Sequence, residues 1–595
     1  MFNSEDVSFS IEAFANMCRM RLLQLNYVHL KGGYEHFPKD LRWLCWHGFH
    51  LNSIPSNFDM ENVVILDMRN SNIKEVWKGI KPLRRLKILN LSNSRHLKKS
   101  PNFIGLPNLE RLILKGCTSL VEVHESIGFL DKLVVLNLKH CKNLRNLPSS
   151  ISKLGSLEVL NLFGCSRQVK SNSLFSFFQI LASQRKNSNP FTLVPSFSCL
   201  YSLRDLNLSF CNLSEGMIPN DIGGLSSLKQ LSLSGNSFRS LPASISRLSR
   251  LGILNMRGCG NLQLLPDLPS SLGTLDLEYC SSLESLPANM SDLSHLLSLT
   301  LDGCRGLRSP LELPSSIGYF GSSGCTSLEV LNLASVYPSL QDLRIDYNRF
   351  SSLSDQIDHL TELISVTLDG YPRTRSLPKF PSSLKALFIE GNSSMELTKQ
   401  ILIQSLATSQ SIGSICMRGC HHLENILRKK SLFQEIYRSF EVIGRGSEIP
   451  EWIRHQSMGS SISFEVSPHS GCMIQGLDIS ALFATDREGY AFSSSLLICN
   501  KSKGIQWDYS GKYWPRPSLI DQDLVWVGHV PVAGLPNYFE DEVGFRAHFE
   551  VGDQVEVSVK IEVDDVRGAR VQMKNVESCW YTSQMKEKPI QMIDQ

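Results

Sequence analysis

The fold is decided by LERLILKGCTSL at residues 109–120 and LVVLNLKHCKNL at residues 133–144. Both spell L-x-x-L-x-L-x-x-C, with Leu109, Leu112, Leu114 and Cys117 answered by Leu133, Leu136, Leu138 and Cys141. Working outward, Leu251, Leu254, Met256 and Cys259 repeat the phrase, as do the runs Leu272 to Leu283 and Leu296 to Leu307. Weaker copies start at Met20, Leu41, Val63, Ile317, Leu363 and Ile412. The pitch of about 21 to 25 residues, over about sixteen or seventeen turns, is that of a leucine-rich repeat.

Each phrase predicts a short strand whose leucines point inward and whose intervening residues point outward. One turn cannot stand alone. It buries about five apolar side chains worth ~1.5–3 kcal/mol each, against roughly 1–2 kcal/mol of backbone entropy for each of about 23 residues. Stacking closes the gap, so the expected fold is an α/β leucine-rich-repeat solenoid with a curved parallel sheet on its concave face. The convex side repeats Leu-Pro, as in Leu147–Pro148 and Leu241–Pro242, where no ladder N–H is needed. The solenoid is expected over residues 16–432, after a lead-in at 1–15 and with an inserted loop at 166–202. A loop of that length is either without fixed structure or functional.

The ninth place is Cys at Cys117, Cys141, Cys165, Cys211, Cys259, Cys280, Cys304, Cys325 and Cys420, and Asn at Asn236, Asn348 and Asn392. A small polar group there can satisfy backbone groups left over at a sharp turn. The 16 cysteines of the chain therefore read as reduced structural thiols, not as disulfides. After Lys430 the pattern becomes strict alternation, clearest in Val555, Val557, Val559, Ile561 and Val563. Residues 433–595 are expected to form an all-β jelly-roll or immunoglobulin-like sandwich.

Composition bounds the function. The 595 residues carry a net charge of +3 and no apolar run of membrane-spanning length, so neither nucleic acid nor a membrane span is expected. The opening residues show no secretory signal, which points to a soluble intracellular chain. No G-x-x-x-x-G-K-[ST] occurs, and Gly504 to Lys512 has the wrong spacing. Cys416, Cys420, His421 and His422 could be imagined as a zinc site, but Cys420 already fills a ladder place. No catalytic residue, cofactor or metal is expected, and protein binding is.

The outward-facing places supply the candidate contacts. Arg69, Arg111, Lys115 and Lys139 lie in the early repeats, with Asp67 opposed. Asp276, Glu278, Asp302, Asp342, Asp346, Asp369 and Glu390 lie in the later ones, with Arg344 opposed. Phe163, Tyr279, Tyr347 and Phe388 add aromatic anchors. Such a bipolar face fits a partner with the opposite charge gradient; the plainer reading is solvation and edge protection.

The opening and closing repeats carry more than repeat geometry requires. Leu41–Arg42–Trp43–Leu44–Cys45–Trp46–His47, Ile54–Pro55–Ser56–Asn57–Phe58 and Asn70–Ser71–Asn72–Ile73 with Trp77 resemble the first repeats of plant TIR-NB-LRR disease resistance proteins. Gly446 to Trp452, with His455–Gln456–Ser457, resembles that family's post-repeat jelly-roll domain, although Val571 to Tyr581 matches its last strand only loosely. The resemblance implies the effector-recognition half of an intracellular immune receptor, without the NAD-cleaving TIR domain or the nucleotide switch. It implies a cytoplasmic protein, with the nucleus as a second compartment, whose partners are a pathogen effector protein and full-length receptors of the family. It also places Glu448 and Trp452 in the C-terminal domain's contact loop. The alternatives are a truncated decoy or regulatory repeat protein, and an extracellular ectodomain glycosylated at sites such as Asn90 and Asn207.

Overall fold

The computed structural model describes residues 8–165, apart from 18 and 146, then 200–308, 312–328, 337–345, 355–368, 380–390, 414–418, 440–445, 455–458, 460–466, 472–485, 491–515, 523–531, 552–564 and 571–584. The chain divides into two compact units, Met1–Val330 and Leu331–Gln595.

In the first unit thirteen short strands lie parallel and in register, from Leu22–Asn26 and Trp43–His47 through Arg111–Ile113 and Val135–Asn137 to Ser298–Thr300 and Tyr319–Gly321. Each phrase contributes one strand, and the fourth-place leucines stack: Leu136 sits between Leu112 and Leu160, and Leu254 between Leu231 and Leu275. Leu136, Leu254 and Leu299 are wholly buried. The loop expected at 166–202 does not break the ladder, because Leu160 pairs directly with Leu206. Residues 166–199 lie outside the described residues.

The convex side corrects the α part of the expected α/β class. Its elements among the described residues are 3-10 turns such as Glu125–Phe129, Ser149–Lys153 and Ala243–Arg247. Pro148 and Pro242 start two of them. With five residues between a proline and the next buried leucine there is room for one tight turn and not for an α-helix. At the start of the unit Ser8–Ser10 pairs with His29–Lys31. Tyr34, Phe37, Trp46, Phe49 and Phe58 pack together there, with Phe37 stacked on Trp46 at 6.1 Å. That aromatic cluster fills the core of the first repeats.

The second unit holds a parallel run of Asp342–Arg344, Ser365–Thr367, Ala386–Glu390, Ser414–Arg418 and Phe440–Arg445. At Phe440–Arg445 the pairing changes sense: its other neighbour, Asp523–Pro531, is antiparallel. Cys472–Thr485, Val571–Gln584 and His455–Met458 continue that sheet. A second antiparallel sheet orders Ser461–Glu465, Gln554–Asp564, Ala491–Asn500 and Ile505–Pro515. The alternation read from the sequence is borne out there, since Val555, Val557 and Val559 are buried together with Ile462 and Phe464.

Candidate recognition face

Among the described residues the ninth-place thiols are bonded, not reactive; Cys420 lies outside them. Cys117 Sγ donates to Leu91 O at 3.2 Å, Cys141 Sγ to Leu114 O at 3.1 Å and Cys165 Sγ to Leu138 O at 3.0 Å. The same link, one repeat back, recurs at Cys211, Cys259, Cys280, Cys304 and Cys325. Asn236 does more at this place, donating to Leu208 O and Leu233 O and accepting from the N–H groups of Cys211 and Leu213. Burial pushes the thiols of Cys117, Cys211 and Cys325 up to about 12, so none of these is a thiolate nucleophile near neutrality.

The fifth place is structural as well as outward-facing. Asn137 Oδ1 accepts from Lys139 N at 3.0 Å, Asn161 Oδ1 from Phe163 N at 3.0 Å and Asp276 Oδ1 from Glu278 N at 3.0 Å. These Asx turns bend the chain out of the strand. Asn90 Oδ1 accepts from Ser92 N while its Nδ2 donates to Asp67, and Asn207 Oδ1 accepts from Ser209 N. A glycan on Asn90 would attach at the Nδ2 that serves Asp67, whereas the Oδ1 bond of Asn207 is independent of its nitrogen.

The eighth place carries a feature the leucine pattern hides. Its residue is left-handed in every described repeat from Asn70 to Gly324: Asn93, His140, Phe210 and Tyr279 have φ of 61°, 62°, 55° and 61°. Glycine would be free of strain there. Where the residue is large, the next repeat supplies glycine. A Cβ on Gly303 would lie 2.6 Å from Tyr279 Cδ1, and one on Gly235 would overlap the Phe210 ring. The same alternation pairs Tyr27 with Gly48 and His140 with Gly164. The rings thus lie over the following glycine and remain half exposed, Tyr27 at 57%, Phe210 at 50% and Tyr279 at 54%.

These places converge on one patch. His140 meets Phe163 edge-on at 5.1 Å, Phe163 meets Phe210 at 5.2 Å, and Lys139 Nζ lies 4.3 Å from the centre of the Phe163 ring. Arg111 and Lys115 are exposed beside them, and Lys139 is half-buried. Burial, followed by the charges of Lys139, Lys142 and Lys115, lowers the His140 pKa and keeps its ring neutral at pH 7.

The acidic half of the expected pattern needs correction. Glu278 is 4% exposed and ion-paired with Arg257, which also lies over the Tyr279 ring at 5.3 Å. Asp302 is 7% exposed and accepts from Ser323 N at 2.8 Å. Seventh-place side chains sit where the chain leaves the strand, so Asp302 folds onto a backbone N–H of the following repeat and Glu278 onto the guanidinium of the preceding one. Phe388 is likewise 8% exposed, flanked in the ladder by Thr367 and Cys416; an apolar ring with neighbours on both sides gains by leaving water. Asp276 and Asp342 remain half-buried on the strand face, where burial raises the Asp342 pKa and a hydrogen bond from Ser365 lowers it. Arg69 is exposed but ion-paired with Asp67. Asp346, Tyr347, Asp369, Glu448, Trp452 and the side chain of Glu390 lie outside the described residues. The sequence reading missed His140, Phe210 and Tyr27, whose signal is an aromatic ring before the ninth place with glycine one repeat later.

Among the described residues no helix is long and apolar enough to cross a membrane. A family model described as "Disease resistance protein RPS4B-like, leucine-rich repeats" matches residues 117–300. TMV resistance protein N of Nicotiana glutinosa is 27% identical over 46% of this chain and 32% of its own length. Disease resistance protein RML1B of Arabidopsis thaliana is 37% identical over 47% of this chain and 27% of its own. The matched region is thus about a third or less of these relatives. A Leptospira interrogans LRR protein, LIC12759, overlays with a TM-score of 0.42 at 22% identity, covering 67% of this chain and 95% of that one. The repeats of this chain form a leucine-rich-repeat array whose sequence is similar to those of plant disease resistance proteins.

Proposed function

We propose that the strand face of the repeats captures a pathogen effector protein, as the sensing portion of a plant intracellular immune receptor acting in defence. The observation that supports this most is the patch of Arg111, Lys115, Lys139, His140, Phe163 and Phe210: half-exposed rings on a rigid ladder, ringed by cations. Rigid aromatics lose little entropy on docking and dominate binding energy, while the surrounding charge selects a partner with an acidic surface. With Glu278 and Asp302 folded inward, the basic early repeats become the favoured contact and the later acids a secondary one. The similarity to N and RML1B supports the defence role, and the Asn90 Nδ2 already donating to Asp67 speaks against a glycan at that site.

On this reading residues 433–595 form the jelly-roll domain, Glu448 and Trp452 serve as contact residues of that domain, and the chain works in the cytoplasm and nucleus without chemistry of its own. The test is a panel pull-down of effector proteins by the full chain, followed by titration of any captured one. Lys115→Glu with Lys139→Glu should weaken binding at least tenfold and flatten its salt dependence, with the melting temperature unchanged. Binding that survives both reversals and Phe163→Ala rules this face out.

A further inference from the structure

One cluster on the same unit has no place in that reading. Cys45 and His47 stand two apart on the strand Trp43–His47 and so share a face. The parallel register sets Asp67 of the next strand opposite Cys45. Cys45 Sγ lies 3.1 Å from His47 Nε2, and His47 Nε2 lies 3.6 Å from Asp67 Oδ1. One ligand atom from each residue falls within 4.8 Å of the other two.

Two ordinary explanations fit poorly. In a nucleophilic relay the base would take the thiol proton on one ring nitrogen and be held by the carboxylate through the other. Here sulfur and carboxylate both face Nε2, so the three groups converge on one point instead of forming a chain. A plain ion pair is also incomplete, because Asp67 is already served: Arg69 donates Nε to Oδ1 at 3.0 Å and Nη2 lies 3.0 Å from Oδ2, while Asn90 Nδ2 donates to Oδ2 at 3.2 Å.

We propose that Cys45, His47 and Asp67 bind a divalent transition-metal ion of the zinc class. A zinc ion with bonds of about 2.3 Å to sulfur and about 2.0–2.2 Å to nitrogen and oxygen holds tetrahedral ligands roughly 3.4–3.6 Å apart. The separations of 3.1 and 3.6 Å bracket that range, so small side-chain movements close the site. The ligand set suits the ion as well: a thiolate and an imidazole select a borderline-soft metal over magnesium or calcium. Binding replaces the thiol proton, which leaves to solvent, and the metal then bonds the thiolate. Asn90 Nδ2 and Arg69 Nη2 hold the far oxygen, Oδ2, as outer partners do in metal centres, while Arg69 Nε shares Oδ1 with the ion. Water completes the fourth position, or Gln24, the exposed ladder neighbour of Cys45 on its other side. The ion would tie together two strands beside the aromatic core of the first repeats.

The experiment uses the full chain, freed of metal by chelator dialysis and titrated with Co2+ and then Zn2+. The expected result is a thiolate-to-cobalt absorption band that saturates at one equivalent, is displaced by Zn2+, and accompanies a rise in melting temperature on Zn2+ addition. Cys45→Ser should abolish the band, and His47→Gln and Asp67→Asn should each weaken Co2+ binding more than the about tenfold expected of the outer-partner variant Asn90→Ala. Cys259→Ser, in the ladder far along the chain, should leave the titration unchanged. If Cys45→Ser does not fold, the half-exposed His47 and Asp67 carry the same test. Absence of the band at one equivalent overturns the proposal, and so does a band that persists in Cys45→Ser or ignores both His47→Gln and Asp67→Asn. None of these readouts depends on effector binding.

Discussion

The packing of Phe210 over Gly235 sets a quantitative test of how the strand face presents its rings. Gly235 has φ +66°, and a Cβ there would overlap the Phe210 ring. Gly235→Ala therefore faces two separate costs. An L-residue in the left-handed region costs about 1–2 kcal/mol, and forcing an atom into filled space costs about 1–3 kcal/mol. The variant should lose roughly 2–5 kcal/mol. In a Phe210→Gly background the overlap disappears and only the conformational part remains, about 1–2 kcal/mol. Phe210→Gly alone should be nearly neutral. It relieves about 1–2 kcal/mol of its own left-handed strain, against about 0.5–1.5 kcal/mol of lost contact with Phe163 and about 0.5–1 kcal/mol of glycine entropy. Equilibrium urea unfolding of the two single variants and the double variant reads the coupling directly, and about 1–3 kcal/mol is expected. Equal costs of Gly235→Ala in both backgrounds would show that the ring does not rest on that glycine, and the rigid aromatic ridge would have no basis.

Leu254 is fully buried between Leu231 and Leu275, so Leu254→Ala should cost about 2–5 kcal/mol, whereas Leu297→Ala, at 61% exposed, should change stability by under about 0.5 kcal/mol; thermal melts distinguish them. The thiol pKa values of Cys117, Cys211, Cys259 and Cys325 are raised by folding from an ordinary 9.0. Their contribution to stability is complete below that value and is lost as pH rises through the folded pKa. Melting temperature should therefore fall from about pH 9 upward, and a thiol reagent at pH 8 should modify these four only after denaturation. Asp342 also has a raised pKa, with burial as the main cause, so its ionisation opposes folding as pH climbs past its ordinary 3.8. Asp342→Asn should hold or raise the melting temperature at pH 7; a clear loss there would mean the carboxylate is stabilised by a charge partner.

What the sequence disclosed and what it hid follow from one distinction. Leucines at places one, four and six were legible because burial in a shared core depends only on position within the turn, and Leu136, Leu254 and Leu299 are accordingly sealed. Side chains between them depend on the neighbouring repeat, which a single phrase does not contain. Glu278 reads as an open acid until Arg257, one repeat earlier, is seen to cover it. Tyr279 reads as an ordinary anchor until Gly303, one repeat later, is seen to be the floor beneath its ring. The Cys45, His47 and Asp67 cluster has no ligand spacing along the chain, because its third member arrives through the ladder register. Aligning the repeats and reading down each column recovers this information: the fifth column runs Gln24, Cys45, Asp67, Asn90, and the seventh runs Asn26, His47, Arg69, Ser92. In a stacked array lateral neighbours are adjacent in a column, not along the chain, so the chemistry of the face is written down the columns while the fold is written along the rows.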